Sequence, residues 1–188
     1  MPNQINIVFA IDKGYLQHLA AAMQSLLVNN KNLYFKIYII NGDIEPNDFN
    51  KLLLITNKFN CKLISIKIDD DLFESFVSHH HFTKATYYRL LIPELINDDR
   101  VLYLDADIIV NANIDELYKK DLEGNFIGAV SNPDFNRHAE LNMHKDSNYF
   151  NAGIMLIDNK KWKEYGLGEK VIDFVGLKGV ILKYFMYK

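Results

Sequence analysis

A chain of 188 residues, 49% hydrophobic and 24% charged, has the apolar content to pack one α/β domain, or one domain with a fragment attached, and is too apolar to be disordered. Its net charge of −3 excludes a general basic field for gathering nucleic acid or an anionic membrane. The single cysteine, Cys61, excludes an internal disulfide and a thiolate metal cage, and reads as a small buried hydrophobe at the start of a strand.

The chain runs almost at once into Ile5-Asn6-Ile7-Val8-Phe9, too short and too poorly flanked for a signal peptide. No stretch approaches the ~20 apolar residues of a membrane span, so a soluble cytoplasmic chain is expected. Residues 5–11 form a β-branched apolar run that predicts a buried strand, closed by the turn signal Asp12-Lys13-Gly14. Tyr15, Leu16, Leu19, Met23, Leu26 and Leu27 recur at helical spacing and predict a helix over 15–28. A second strand over 35–40, a helix opened by Pro46 and running to about 59, and a third strand over 62–68 follow. This rhythm predicts a parallel, doubly wound α/β sheet flanked by helices. Ligands in such sheets bind beyond the carboxyl ends of the strands, which makes Asp12 a site candidate on geometry alone.

Asp69-Asp70-Asp71 reads as a solvated turn or helix start. In His79-His80-His81 consecutive side chains rarely converge on one ion, so a loop over the site is preferred, with His81 nearest to ligand. A helix over 83–91 closed by Pro93, strands over 101–104, 126–130 and around 154–157, and a helix from Lys160 complete the prediction. No repeat or linker divides the chain.

The strongest chemical signal is Asp105-Ala106-Asp107 between apolar runs. Two carboxylates spaced i, i+2 in extended backbone point to one side and repel each other unless a cation intervenes. A hard divalent ion such as Mn²⁺ or Mg²⁺ meets that need through oxygen ligands, commonly one or two carboxylates plus substrate phosphates. The alternative is an ordinary solvated turn at a strand end.

Four segments, in order, resemble the family-8 retaining glycosyltransferases, which include bacterial galactosyl- and glucosyltransferases and the glycogenins. They are Ile7-Val8-Phe9-Ala10-Ile11-Asp12 with Tyr15; Thr86-Tyr87-Tyr88-Arg89-Leu90; Val101-Leu102-Tyr103-Leu104-Asp105-Ala106-Asp107; and Tyr149-Phe150-Asn151-Ala152-Gly153 followed by Trp162. The resemblance implies a GT-A-like, Rossmann-type α/β domain over residues 1–174, with a mixed, mainly parallel sheet flanked by helices, that binds a nucleotide sugar. The donor would be a UDP-hexose, with galactose and glucose both open. It further implies a metal ion, Mn²⁺ or Mg²⁺, on Asp105 and Asp107. Asp12 and Tyr15 would receive the uracil by hydrogen bond and stacking, although Tyr15 also suits a core position at a helix start. Ala10 and Ile11 would touch the nucleotide through their backbone, with Ala106 and Ala152 also among the donor-binding residues. Asn151 would read sugar hydroxyls, and Gly153 would permit close backbone approach. Arg89 would hold the donor sugar or balance the aspartates, and an ion pair of purely structural use is the competing account. Asn151 and Arg89 are the two candidates for a catalytic part.

The implied reaction is transfer of a hexose from a UDP-sugar to a saccharide acceptor with retention, driven by neutralising charge on the departing diphosphate. A lipopolysaccharide, capsule or protein-linked glycan would each suit as acceptor, including a lipid-linked one. The family's D-Q-D-x-x-N and H-x-x-G-x-x-K-P-W motifs are missing, and residues 175–188 form an atypical apolar, mildly basic tail. A truncated or frameshifted end is the expectation, leaving a folded donor half with little transfer activity. Such a tail also suits a helix lying peripherally on the inner face of a membrane, against an unpacked or opportunistically buried one. A catalytically inactive nucleotide-sugar-binding remnant is the main alternative. A dinucleotide-binding protein fares poorly, because Ala10-Ile11-Asp12-Lys13-Gly14 lacks G-x-G-x-x-G.

Overall fold

A computed structural model describes residues 4–69 and 84–177. Asp70, Asp71 and the histidines 79–81 lie outside the described residues, as do the tail positions from 178 onward. Each apolar run predicted as a strand is one. In chain order the elements are β1 (Gln4–Ala10), α1 (Leu16–Asn29), β2 (Tyr34–Asn41), α2 (Pro46–Thr56), β3 (Cys61–Lys67), α3 (Ala85–Tyr88), α4 (Ile92–Leu95), β4 (Arg100–Leu104), α5 (Asp115–Lys119), β5 (Ile127–Ser131), β6 (Phe150–Asp158), α6 (Asn159–Glu164) and α7 (Leu167–Leu177).

The six strands form one sheet in the order β3-β2-β1-β4-β6-β5. The pairs β1–β2, β2–β3 and β1–β4 are parallel, whereas β4–β6 and β5–β6 are antiparallel. The sheet is thus mixed and mainly parallel, as the family resemblance implies; strand–helix alternation alone predicts the parallel pairs and not the antiparallel ones. The chain reverses its direction of travel across the sheet at β1, which has β2 on one side and β4 on the other. Because β6 runs against β4, the start of β6 lies at the same edge of the sheet as the end of β4.

Strand alternation divides the core in two. Ile5, Ile7 and Phe9 of β1, with Leu102 and Leu104 of β4, face α1 and α2 through Leu19, Met23 and Leu52. Val8 of β1, with Val101 and Tyr103 of β4, faces the other way, against Tyr88, Ile92 and Trp162. Cys61 is half-buried at the start of β3, and burial pushes its thiol up, in keeping with a packing role.

Three local expectations are revised. The helix expected to stop at Pro93 is instead α3, a 3₁₀ turn over Arg89–Leu91 and then α4, which carries Pro93 in its first turn. Proline is tolerated there because its missing N–H has no intrahelical partner to lose. The strand expected around 154–157 begins at Phe150, so it takes in Asn151-Ala152-Gly153. The expected helix from Lys160 begins at Asn159, capped by the Asp158 carboxylate accepting from the Lys161 N–H at 2.9 Å.

Leu102 is fully buried in the strand that joins the parallel and antiparallel halves. Leu102→Ala is expected to cost about 2–5 kcal/mol in urea unfolding with an unchanged m-value. A loss below about 1 kcal/mol would contradict this packing.

Candidate donor site at the carboxyl edge of the sheet

Beyond the end of β1, Ile11 is buried and its N–H donates to the Ile40 carbonyl at 3.0 Å, extending the parallel ladder by one residue. Asp12 remains extended and starts a 3₁₀ turn over Lys13–Tyr15, closed by the Tyr15 N–H donating to the Asp12 carbonyl at 3.1 Å. The Asp43 carboxylate, from the loop after β2, accepts from the Lys13 N–H at 2.8 Å and anchors that turn. Gly14 leaves the room: a Cβ there would lie 3.1 Å from the Asp12 carboxylate. Tyr15 is 42% exposed, with its ring 5.1 Å from that of His18, so the core position considered for it is not the one it occupies.

At the neighbouring strand end, the Asp105 N–H donates to the Gly153 carbonyl at 2.7 Å, carrying the β4–β6 pairing one step further. Period-two alternation puts Asp105 on the same side as Tyr103, whose hydroxyl donates to Asp105 Oδ1 at 2.8 Å. Burial pushes the Tyr103 phenol far up, so it is a protonated donor throughout the working pH range. Arg89 Nη2 reaches the same Oδ1 at 3.1 Å, and its guanidinium lies 4.7 Å from the Tyr103 ring centroid. Its Nε donates to the Thr86 carbonyl and its Nη1 to the Ala152 carbonyl, each at 2.9 Å. The two charged side chains are only 17% and 16% exposed. One arginine therefore ties its own helix, the end of β4 and the start of β6 together.

The third strand end supplies Asn151 and Gly153. Asn151 Oδ1 accepts from the Gly153 N–H at 2.7 Å, so part of the Asn151 side chain braces the backbone. A Cβ on Gly153 would lie 2.8 Å from Asp105 Oδ2 and 2.9 Å from Asn151 Oδ1. The close approach that Gly153 permits is thus to the Asp105 carboxylate.

Asp105 and Asp107 are not joined by extended backbone. The chain turns at the buried Ala106, and Asp107 is exposed on that turn. Strand alternation therefore does not set how Asp107 stands relative to Asp105. Among the described residues no group of three or more His, Cys, Asp or Glu gathers to hold a metal. A hard carboxylate pair suits a Mg²⁺- or Mn²⁺-type ion held jointly with substrate phosphates, and not an all-protein cage. Asp105 has one oxygen committed to Arg89 and Tyr103, while the other faces Gly153.

Ala10, Ile11, Asp12, Tyr15, Asp105, Ala106, Asp107, Asn151, Ala152 and Gly153 lie at or just beyond the ends of β1 and β4 and the start of β6, along one edge of the sheet, and Arg89 reaches that edge from the helical layer. His81 lies outside the described residues. Sequence reasoning passed over Tyr103 and Asp43. A tyrosine two residues before a strand-end aspartate could have exposed the first; the second is a contact across 30 positions with no local signal.

The profile of glycosyl transferase family 8 matches residues 6–185. General stress protein A of Bacillus subtilis (strain 168) is 35% identical over 176 residues, covering 91% of this chain and 62% of that protein. Glycosyltransferase GlyF of Streptococcus pneumoniae (serotype 4) is 36% identical over 168 residues, covering 89% and 40%. Among solved structures, an active-site mutant of LgtC superposes with a TM-score of 0.85 at 26% identity, covering 96% of this chain and 66% of that one. The galactosyltransferase LgtC in complex with donor and acceptor sugar analogs gives 0.76 at 26% identity, covering 94% and 70%. The chain thus spans less than two thirds of the length of the curated relatives described.

Gly153→Ala tests how tightly the edge is built. The added methyl must displace the Asp105 or Asn151 side chain, at an expected cost of about 1–3 kcal/mol in urea unfolding. A variant as stable as the parent would contradict the contact.

Proposed function

The chain belongs to glycosyl transferase family 8, and on that premise we propose that it handles a UDP-hexose and a divalent cation at the carboxyl edge of its sheet, transferring the hexose to a saccharide acceptor with retention of configuration. The observation that carries this reading is the convergence, where the sheet changes direction, of the Asp12–Tyr15 turn, with its exposed Tyr15 ring, and a carboxylate held by Arg89 and Tyr103.

Each residue has a part in the proposal. Asp12 accepts from the uracil N–H, the exposed Tyr15 ring stacks on the base, and the backbone at Ala10 and Ile11 flanks the nucleoside. Asp105 and Asp107 hold Mn²⁺ or Mg²⁺, with Ala106 beside the diphosphate. When bound, that ion neutralises charge building on the leaving diphosphate. The Asn151-Ala152-Gly153 strand start lies along the sugar, with the Asn151 amide reading hydroxyls. Three of the five guanidinium N–H groups of Arg89 are spent on Thr86, Ala152 and Asp105, which favours an orienting part and leaves two for a sugar hydroxyl.

In the transfer the anomeric C–O bond to the diphosphate breaks, with its electron pair leaving on phosphate oxygen. The acceptor hydroxyl bonds the anomeric carbon on the same face, and its proton passes to the departing phosphate. Asp105 is unsuited as a nucleophile because Oδ1 already takes two donors and the other oxygen is assigned to the cation in this proposal. The LgtC likeness makes UDP-galactose the donor to try first, with UDP-glucose as competitor. No helix among the described residues is long and apolar enough to cross a membrane. Donor binding without transfer is the second reading, and a transfer assay separates it from the first.

Calorimetric titration of UDP in Mn²⁺ and in EDTA, followed by a transfer assay with both UDP-hexoses, tests the proposal. Mn²⁺-dependent binding is expected, weakened more than about tenfold by Asp105→Asn or Asp107→Asn. Equal UDP binding in EDTA and in the folded variants would refute the donor site, and metal-dependent binding without turnover would select the second reading.

A further inference from the structure

The turn that carries Asp107 is secured at both ends. Its near end is fixed where the Asp105 N–H meets the Gly153 carbonyl. Its far end leads into residues 108–114, which join no strand and are hydrogen-bonded to the last turns of α1. Both backbone polar groups of Val110 are taken by α1 side chains. Its N–H donates to Ser25 Oγ at 2.9 Å, and its carbonyl accepts from Asn29 Nδ2 at 2.8 Å. Ser25 and Asn29 are four residues apart and share one face of the helix. Asn30, buried, acts similarly further along: its Nδ2 donates to the Ala112 carbonyl at 3.2 Å, and its Oδ1 accepts from the Ile114 N–H at 2.9 Å.

We propose that Ser25 and Asn29 are positioning residues for Asp107, a polar clamp on Val110 that fixes the far end of the turn and so sets where the second carboxylate stands. The inference rests on the metal reading of Asp105 and Asp107. Its physical basis is that Asp107 is exposed on a turn, outside the strand alternation that orients Asp105. Ile109, between Asp107 and the clamp, is 67% exposed, whereas Ile108 and the buried Val110 pack against the core, so the clamp adds direction to a segment that apolar contact already holds down. Val110, three residues after Asp107, has both of its backbone polar groups held. The competing account is that these side chains only serve α1: Asn29 Nδ2 also donates to the Ser25 carbonyl at 3.0 Å, and Ser25 Oγ to the Ala22 carbonyl at 2.8 Å.

The two accounts separate on metal dependence. With the full chain, UDP is titrated by calorimetry in Mn²⁺ and in EDTA, and bound Mn²⁺ is counted by electron paramagnetic resonance. Ser25→Ala/Asn29→Ala is expected to weaken Mn²⁺-supported UDP binding about tenfold, the size of loss seen when groups supporting a metal ligand are removed. Its UDP affinity in EDTA should stay at the parent level. Ser25→Thr, which keeps the hydroxyl, should stay close to the parent, and Asn29→Ala alone, an exposed change, should give part of the loss. Adding Asp107→Asn to the clamp variant should cost little more than Asp107→Asn alone, because both act through one carboxylate. The proposal is overturned if the clamp variants bind Mn²⁺–UDP like the parent while Asp107→Asn does not, or if affinity falls equally in Mn²⁺ and EDTA. If Asp107→Asn itself leaves Mn²⁺ binding intact, the metal reading fails and the clamp proposal falls with it.

Discussion

A carboxylate whose side chain is 16% exposed needs its charge answered, and at Asp105 the answer is Arg89. Withdrawing a charge from water costs several kcal/mol, recovered only by close pairing and filled hydrogen bonds. Arg89 provides the pairing at 3.1 Å, and Tyr103 adds a second donor to the same oxygen. The guanidinium fork also takes the Thr86 and Ala152 carbonyls, which no lysine could do in one rigid plane. Placing Asp105 therefore also sets the spacing between the α3 layer, the end of β4 and the start of β6. The absence of a side chain at Gly153 follows from the same crowding, since any Cβ there would meet the carboxylate.

The sheet brings distant residues to that point. Parallel pairing of β1 with β4 puts Asp12 and Asp105, 93 positions apart in sequence, beyond adjacent strand ends. Antiparallel pairing of β4 with β6 brings the beginning of β6, and with it Asn151 and Gly153, to the same edge. A wholly parallel sheet would have sent the start of β6 to the opposite edge. The reversal of β6 is thus the feature that completes the proposed donor site, with base recognition on β1, cation ligands on β4 and sugar contacts on β6.

Much of this was legible in the sequence where the physics is local. Continuous β-branched runs gave the buried strands, and helical spacing over Tyr15 to Leu27 gave α1. The D-x-D at a strand end and the T-Y-x-R-L and F-N-A-G segments mark site candidates from the sequence alone. What was not legible depends on partners remote in sequence. Nothing near Val110 announces that Ser25 and Asn29, more than 80 positions earlier, hold its backbone. Local reasoning also misjudged Pro93, because a proline reads equally well as a helix stop and as a first-turn residue. The extended path assumed through Asp107 gave way to a turn with Ala106 buried beneath it.

The most direct test of the central claim is a crystal structure of the chain grown with UDP and Mn²⁺. The account predicts uracil against Tyr15 and Asp12, anomalous manganese density between Asp105, Asp107 and the diphosphate, and an Arg89–Asp105 pair that keeps its geometry. Ordered UDP elsewhere on the molecule, or manganese bound away from both aspartates, would contradict it.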